Sequence, residues 1–278
     1  MAAAPAADPA FAGRTAIVTG ASSGLGAALA RELARRGAHL VLFSPERARQ
    51  EEVAAECAAL GARALAVIGD VTRPDDCRRL VEETVREFGG VDYLVANAGI
   101  SMWSRFEETA DLSVFRKLME VNYLGALHCA FYALPHLKRR RGLIAAITSI
   151  QGRIPVPLHT GYVASKHALQ GFCEALRLEL RGTGVDILTV LPHWLRGTEL
   201  RQRAFAGDGR QLGPSSRRHS SESVSVEEAC QAILRAMARR RRELVIPWKL
   251  KLLCALYALW PGRAEALIMR AVGKQEGE

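Results

Sequence analysis

Thr15-Ala16-Ile17-Val18-Thr19-Gly20-Ala21-Ser22-Ser23-Gly24-Leu25-Gly26 is the stretch on which the fold turns. An apolar, β-branched run passes into a glycine-spaced turn, and the turn passes into the Ala/Leu-rich segment Leu25–Arg36. Gly20 permits a sharp exit from a strand. Gly24 lets the backbone approach a pyrophosphate, and Gly26 lets the helix lie close to the sheet. The free N–H groups and the positive end of the helix dipole then face the phosphates. Alone, such a turn is weak evidence. The strand before it and the helix after it favour a phosphate site.

Working outward, short apolar runs alternate with helix-length segments. Strand-like runs are Thr15–Thr19, Leu40–Phe43, Ala64–Ile68, Tyr93–Ala96, Leu143–Thr148, Asp186–Leu191 and Leu244–Ile246. Between them lie Leu25–Arg36, Pro45–Leu60, Pro74–Phe88, Leu112–Arg139, Gly161–Arg181 and Val226–Arg239. Most strand runs are continuously apolar, as strands covered on both faces are. Seven of them joined by helices indicate an α/β fold: one doubly wound, Rossmann-type domain with a seven-stranded, mostly parallel sheet and helices on both faces. The domain is expected over residues 13–247, after a disordered N-terminal tail at 1–12. Within it, Glu199–Ser225 is rich in Gly, Ser and Arg and reads as a substrate loop or lid. Residues 248–278 form an amphipathic C-terminal tail.

The chain of 278 residues is 49% hydrophobic and 24% charged, which excludes collagen, coiled coil and wholesale disorder. Thirty-eight Lys+Arg against 29 Asp+Glu leave a net charge of +9. That balance suits a phosphorylated cofactor, an anionic membrane surface or nucleic acid. The Arg runs Lys138–Arg141 and Arg239–Arg242 each sit at a helix end, where solvation and the helix dipole account for them. No recognition-helix or RNA-binding motif accompanies them, so nucleic acid is not an expected partner. The six cysteines are scattered, without a CxxC pair or zinc-ligand spacing, so no metal and no disulfide is expected. That usage suits a reducing, cytoplasmic setting. The N-terminus lacks a signal-peptide pattern, and no apolar run of about 18 residues is present to span a bilayer.

Beyond the glycine loop, Asn97-Ala98-Gly99 follows the fourth strand run, Asp70-Val71 follows the third, and Tyr162 precedes Lys166 by four residues. Over roughly residues 11–247 this order resembles the short-chain dehydrogenase/reductase family, with its TGxxxGxG loop, NAG motif and YxxxK pair. The resemblance implies a nicotinamide cofactor held by Gly20, Ser22, Ser23, Gly24, Leu25, Gly26, Ser44, Arg47, Asp70, Val71, Asn97, Ala98, Gly99, Tyr162, Lys166, Pro192 and Thr198. It implies a catalytic tetrad of Asn122, Ser149, Tyr162 and Lys166, and a homo-oligomer, dimer or tetramer.

A spacing of four places Tyr162 and Lys166 on one helix face, about 6 Å apart along the axis. A phenol near pKa 10 is a poor acid or base at neutral pH, and a neighbouring ammonium is expected to lower it. Ser149 can hydrogen-bond a substrate carbonyl, while Asn122 resembles the residue holding a water in the proton relay. The implied reaction is carbonyl/alcohol interconversion by hydride transfer. A non-catalytic dinucleotide-binding sensor or scaffold is the alternative.

At the end of the second strand run stands Phe43-Ser44-Pro45-Glu46-Arg47, with a neutral Ser44 where NAD-binding relatives carry an acid. This favours NADP(H), with Arg47 as a candidate phosphate contact and Glu46 pulling toward NAD(H). After the sixth run, His193 replaces the usual glycine and Gly197 adds a residue before Thr198. Gln151–His159, Met102, Trp103 and the Glu199–Ser225 loop are expected to border the substrate cleft. Trp103, Ile154, Val156, Leu158 and Trp194 are expected there as an apolar pocket for a lipid, steroid or similar ketone, the alternative for Ile154-Pro155-Val156-Pro157 being loop packing. The tail at 248–272, with Trp248, Lys249, Lys251 and Trp260, suits peripheral membrane contact, its rivals being the substrate cleft and a partner subunit.

Overall fold

The structure, a computed structural model, describes residues 8–214 and 223–276. Its centre is a seven-stranded, all-parallel sheet in the order β3-β2-β1-β4-β5-β6-β9. The strands are β1 (Thr15–Thr19), β2 (His39–Ser44), β3 (Ala64–Ile68), β4 (Tyr93–Ala96), β5 (Leu143–Ile147), β6 (Asp186–Pro192) and β9 (Glu243–Ile246). A two-residue pair, β7 (Leu195–Arg196) with β8 (Val224–Ser225), stands apart from the sheet. Both faces are covered, which is why the strands read as continuous apolar runs. Successive side chains alternate between faces. Ala16, Val18, Leu40 and Leu42 pack under α1 (Gly24–Arg35) and α7 (Val226–Ala238). Ile17, Val41 and Phe43 enter the opposite core, beneath α3 (Pro74–Phe88), α5 (Gly125–Arg140) and α6 (Thr160–Glu179). Helix α2 (Arg47–Ala59) flanks β2 and β3, and α4 (Ser113–Met119) lies against α6.

The order reverses where β1 neighbours both β2 and β4. At such a switch point the connections leave in opposite directions and open a crevice at the carboxyl ends of the strands. The glycine turn after β1 opens into this crevice.

Four features depart from the sequence-based expectations. Of the tail expected to be disordered at 1–12, residues 1–7 lie outside the described residues, but 8–12 are folded. Phe11 is fully buried, its ring 5.4 Å from that of Tyr93, whose hydroxyl donates to the Ala10 carbonyl at 2.6 Å. Burying such a ring is worth about 1.5–3 kcal/mol, which ties the segment down. Second, the helix expected at Leu112–Arg139 is broken by a π turn at Glu120–Leu124, marked by the Gly125 N–H bonding back to the Glu120 carbonyl. Third, Arg240, in a run expected to be solvated, pairs with Asp186 and donates to the carbonyls of Arg141, Gly142 and Gly184. It staples the lower ends of the sheet. Fourth, Glu199–Gln211 is not free: the Trp103 N–H donates to the Phe205 carbonyl at 2.9 Å, and the Phe205 N–H to that of Ser101 at 2.9 Å. Residues 215–222 of that expected lid lie outside the described residues.

The C-terminal segment forms α8 (Leu250–Leu259) and α9 (Pro261–Glu276). Pro261 starts a helix readily but excludes Trp260 from helical backbone, so α8 stops there. Leu250, Leu253, Cys254 and Tyr257 pack with Ile268 onto Leu191 and Val245. The other side of α8 exposes Leu252 and Leu259, following Trp248 at helical spacing. Among the described residues, no helix is long and apolar enough to cross a membrane.

Candidate active site

The glycine turn is built for close approach. Gly20 and Gly24 adopt φ of +62° and +53°, a region that side chains disfavour. A Cβ on Gly26 would lie 2.2 Å from the Gly20 carbonyl oxygen, so only glycine lets α1 begin this near β1. Thr19 Oγ1 accepts from the N–H groups of Asn97 and Ala98, both at 3.0 Å, and Asn97 Nδ2 donates to the Thr19 carbonyl at 2.9 Å. The segment 97–99 is thereby fastened to the loop, with Gly99 beside Asn122 and Lys166. At the N-cap of α1, Ser23 makes no side-chain capping bond, and the first turn carries no acid. Helix α7 is the contrast: Ser225 and Glu228 form a complete capping box. The bare end of α1 thus keeps its N–H groups available for an anion.

These residues border a cleft of about 490 Å³. It brings together Gly20, Ser22, Ser23, Gly24, Leu25, Ser44, Asp70, Val71, Asn97, Ala98, Gly99, Ser149, Tyr162, Lys166, Pro192 and Thr198. Gly26 stands behind the loop, and Asn122 behind the wall. Arg47 does not join them. It pairs with Glu51 on the outer face of α2 and is 69% exposed, a correction to its expected place at the cofactor. Of the cations that line the cleft, Lys117, Lys166, Arg201 and Arg203, the one held against the segment after β2 is Arg203, paired with Glu46 and Glu199. Position 203 carries no sequence signal, because its place depends on how the segment after β6 folds back.

The extra Gly197 takes φ +87°, and this bend lets Thr198 still reach the loop, its Cβ 3.6 Å from where a Gly24 side chain would begin. His193 lines the cleft, and its backbone N–H donates to the Ile246 carbonyl at 2.8 Å. Asp70 accepts from the Thr72 N–H at 2.9 Å, and Val71 fills the space left by Gly125.

At the far end of the cleft, Ser149 leaves β5 and caps a short 3₁₀ turn, its Oγ accepting from the Gln151 N–H at 3.1 Å. Tyr162 and Lys166 face it from α6. Lys166 Nζ donates to the Ile147 carbonyl at 2.9 Å and stands 5.7 Å from the centre of the Tyr162 ring. Asn122 occupies the middle of the π turn. Its Oδ1 accepts from the Ile100 N–H at 2.8 Å, and its Nδ2 donates to the Ile100 carbonyl and to Ser165 Oγ, both at 2.9 Å. The asparagine side chain is thus spent on locking the π turn to segment 97–100.

The electrostatics differ from the expectation of a lowered phenol. Burial pushes Tyr162 up to about 12, with Ser149 pulling it partly back, and burial drives Lys166 down to about 8. For both groups, withdrawal from water is the largest cause, and it opposes the charged form of each.

The expected apolar pocket is also revised. Trp194 borders the cleft, but Ile154 packs beneath the C-terminal helices, and Trp103 and Leu158 line a neighbouring recess. Trp103, Trp194 and the buried His159 form a ring cluster with centroids 4.8–5.8 Å apart. His159 lies 6.3 Å from the Tyr162 ring, and burial pulls its pKa down to about 4.

A doubly wound sheet with a glycine loop at its switch point defines a dinucleotide-binding α/β protein. Residues 14–209 match the family model described as short chain dehydrogenase. The chain is 38% identical over 201 residues to "11-beta-hydroxysteroid dehydrogenase" of Pinus massoniana, covering 72% of this chain and 56% of that protein. It is 35% identical over 263 residues to "11-beta-hydroxysteroid dehydrogenase A" of Arachis hypogaea, covering 91% and 75%. A solved alcohol dehydrogenase from the archaeon Thermococcus sibiricus, complexed with 5-hydroxy-NADP, superposes with TM-score 0.71 at 28% identity, over 84% of this chain and 95% of that one. The chain belongs to the short-chain dehydrogenase family and is an oxidoreductase of it. That fold implies an NAD(P) cofactor, and the residues present fit one: the uncapped α1 terminus, the space kept by Gly24 and Gly26, and the cleft running to Tyr162.

Proposed function

We propose that the protein interconverts a carbonyl and an alcohol on a hydrophobic, steroid-like substrate, with NADP(H) preferred over NAD(H). The observation that carries this reading is that Ser149, Tyr162 and Lys166 wall the same cleft as the glycine loop. A bound nicotinamide dinucleotide supplies the hydride in reduction and accepts it in oxidation. Tyr162 Oη, held protonated at neutral pH by burial, gives its proton to the carbonyl oxygen as the C–H bond forms. Ser149 Oγ hydrogen-bonds the same oxygen, and Lys166 restores charge balance beside the phenolate that is left. Asn122 keeps segment 97–100 in register with α6.

The substrate class draws support from the aromatic wall at Trp194 and from the hydroxysteroid dehydrogenase names of the relatives. The test is NADPH oxidation with the full chain against a panel of aldehydes, sterones and acyl ketones. Turnover of a sterone above the small aldehydes is expected. NADPH binding without turnover on any member would favour the sensor or scaffold reading instead.

A second reading concerns the tail. Trp248, Leu252 and Leu259 are 72, 68 and 66% exposed on one face, with Lys249 and Lys251 between them, as in an interfacial helix on anionic lipid. Flotation with anionic vesicles is expected for the full chain and lost in Trp248→Ser/Leu252→Ser. Equal flotation of both proteins, or of neither, would dismiss membrane contact through this face.

A further inference from the structure

The cleft carries a set of charges that the proposed chemistry leaves unused. Glu46, two residues past the end of β2, meets Arg203 from the segment after β6, Oε1 to Nη1 at 2.5 Å. The other arm of Arg203, Nη2, holds Glu199 at 2.6 Å, and Glu199 holds Arg49 at 2.9 Å. Arg49 also stands 3.9 Å from Glu46 Oε2, a buried oxygen that accepts no hydrogen bond. Two acids and two arginines thus form a clasp of zero net charge across the cleft mouth. Glu46, Glu199 and Arg203 line the cleft together with Ser22 and Ser44, whose hydroxyls lie 3.0 Å apart.

The end of the second strand in a doubly wound fold faces the 2′ position of an adenosine ribose. An acid there binds the hydroxyl, and an arginine nearby accommodates a phosphate. Here the strand ends in a neutral Ser44, and Arg47 points to Glu51 outside. Two guanidiniums line the cleft: Arg201 lies over the rings of Trp103 and Trp194, and Arg203 is the one that meets Glu46 just past the end of β2.

We infer that Arg203 recognises the 2′-phosphate of an NADP(H) cofactor, and that Glu46 holds its place when no phosphate is bound. The inference rests on the dinucleotide reading of the cleft. No bond is made or broken; the pairs change partners. One arm of the planar guanidinium stays on Glu199 while the other turns from Glu46 to the phosphate. Glu46 then moves the short distance to Arg49, which already stands beside its unused oxygen. With a 2′-hydroxyl in place of the phosphate, Arg203 stays on Glu46 and gains nothing. The recognising residue therefore comes from the segment that also carries Phe205 to its bridge with Met102 at the substrate end, so the two ends of the cleft share one piece of chain.

The test titrates the full chain with NADPH and with NADH, following nucleotide fluorescence, so that binding is read without turnover. Arg203→Gln is expected to weaken NADPH binding by about tenfold or more, the range of a lost charged hydrogen bond, and NADH binding by less than about twofold. Arg203→Lys, which keeps the charge without the fork, should fall between. Glu46→Gln is expected to tighten NADPH relative to NADH, and Arg47→Ala to leave the ratio unchanged. The ratio of the two Kd values within one preparation cancels any loss of folded protein. An unchanged ratio in Arg203→Gln, or a Glu46→Gln change that penalises NADPH more than NADH, would overturn the inference. Failure of the unmodified chain to bind either nucleotide would instead overturn the dinucleotide reading itself.

Discussion

The two ends of the cleft are made by different means. The phosphate end, Gly20 to Gly26, contains no titratable side chain; it works through positive φ, missing Cβ atoms and the uncapped N–H groups of α1. The opposite end withdraws Tyr162, Lys166 and His159 from water and displaces the proton affinity of each. One end is chain geometry and the other is desolvated chemistry. Damage at either should therefore leave the other's measurable property in place.

The largest expected effect separates them most sharply. Tyr162→Phe removes one hydroxyl and no backbone, so kcat should fall by about 10²–10⁴-fold, the range of a lost general acid. NADPH affinity should stay within about twofold. The unmodified protein adds a pH signature with a definite sign. Because burial holds the phenol protonated up to about 12, carbonyl reduction finds its acid at neutral pH, whereas alcohol oxidation needs the phenolate and should accelerate as pH rises. Parallel loss of NADPH binding and kcat in Tyr162→Phe would erase the division between the ends.

That division also marks what could be read from the sequence. Strand positions and the glycine loop were legible because they depend on local pattern: apolar runs where both faces are covered, and glycine where φ or close approach demands it. Tyr162 and Lys166 were legible because four residues on a helix set their relation. Most of the misses depend on distant chain; Arg47, which turns to Glu51 four residues on, is a local exception. The π turn carries Asn122, whose side chain bonds Ile100, 22 residues away. Arg203 meets Glu46 across 157 residues, and no local spacing announces it. Phe11 left a fainter trace, a lone large aromatic in an Ala/Pro-rich stretch. The lowered phenol failed as an expectation because the i,i+4 argument counts the ammonium but not the burial of both partners.

His159 offers a smaller and purely thermodynamic test of the desolvated end. Its ring is buried among Trp103, Trp194 and Tyr162, with Nδ1 2.8 Å from the Pro157 carbonyl, and burial lowers its pKa to about 4. An unfolded chain returns it to about 6.5. Between those values the unfolded state binds the extra proton, so its contribution to stability is complete above about pH 6.5. It is lost progressively toward pH 4, and the full difference is on the order of 3 kcal/mol. His159→Phe cannot titrate. Its denaturant-unfolding free energy should fall less steeply on acidification, by up to about 1.4 kcal/mol per pH unit across this window. Equal slopes for the two proteins would mean that His159 is hydrated in solution, and the aromatic cluster beside Tyr162 would then be an open, wet wall rather than a dry one.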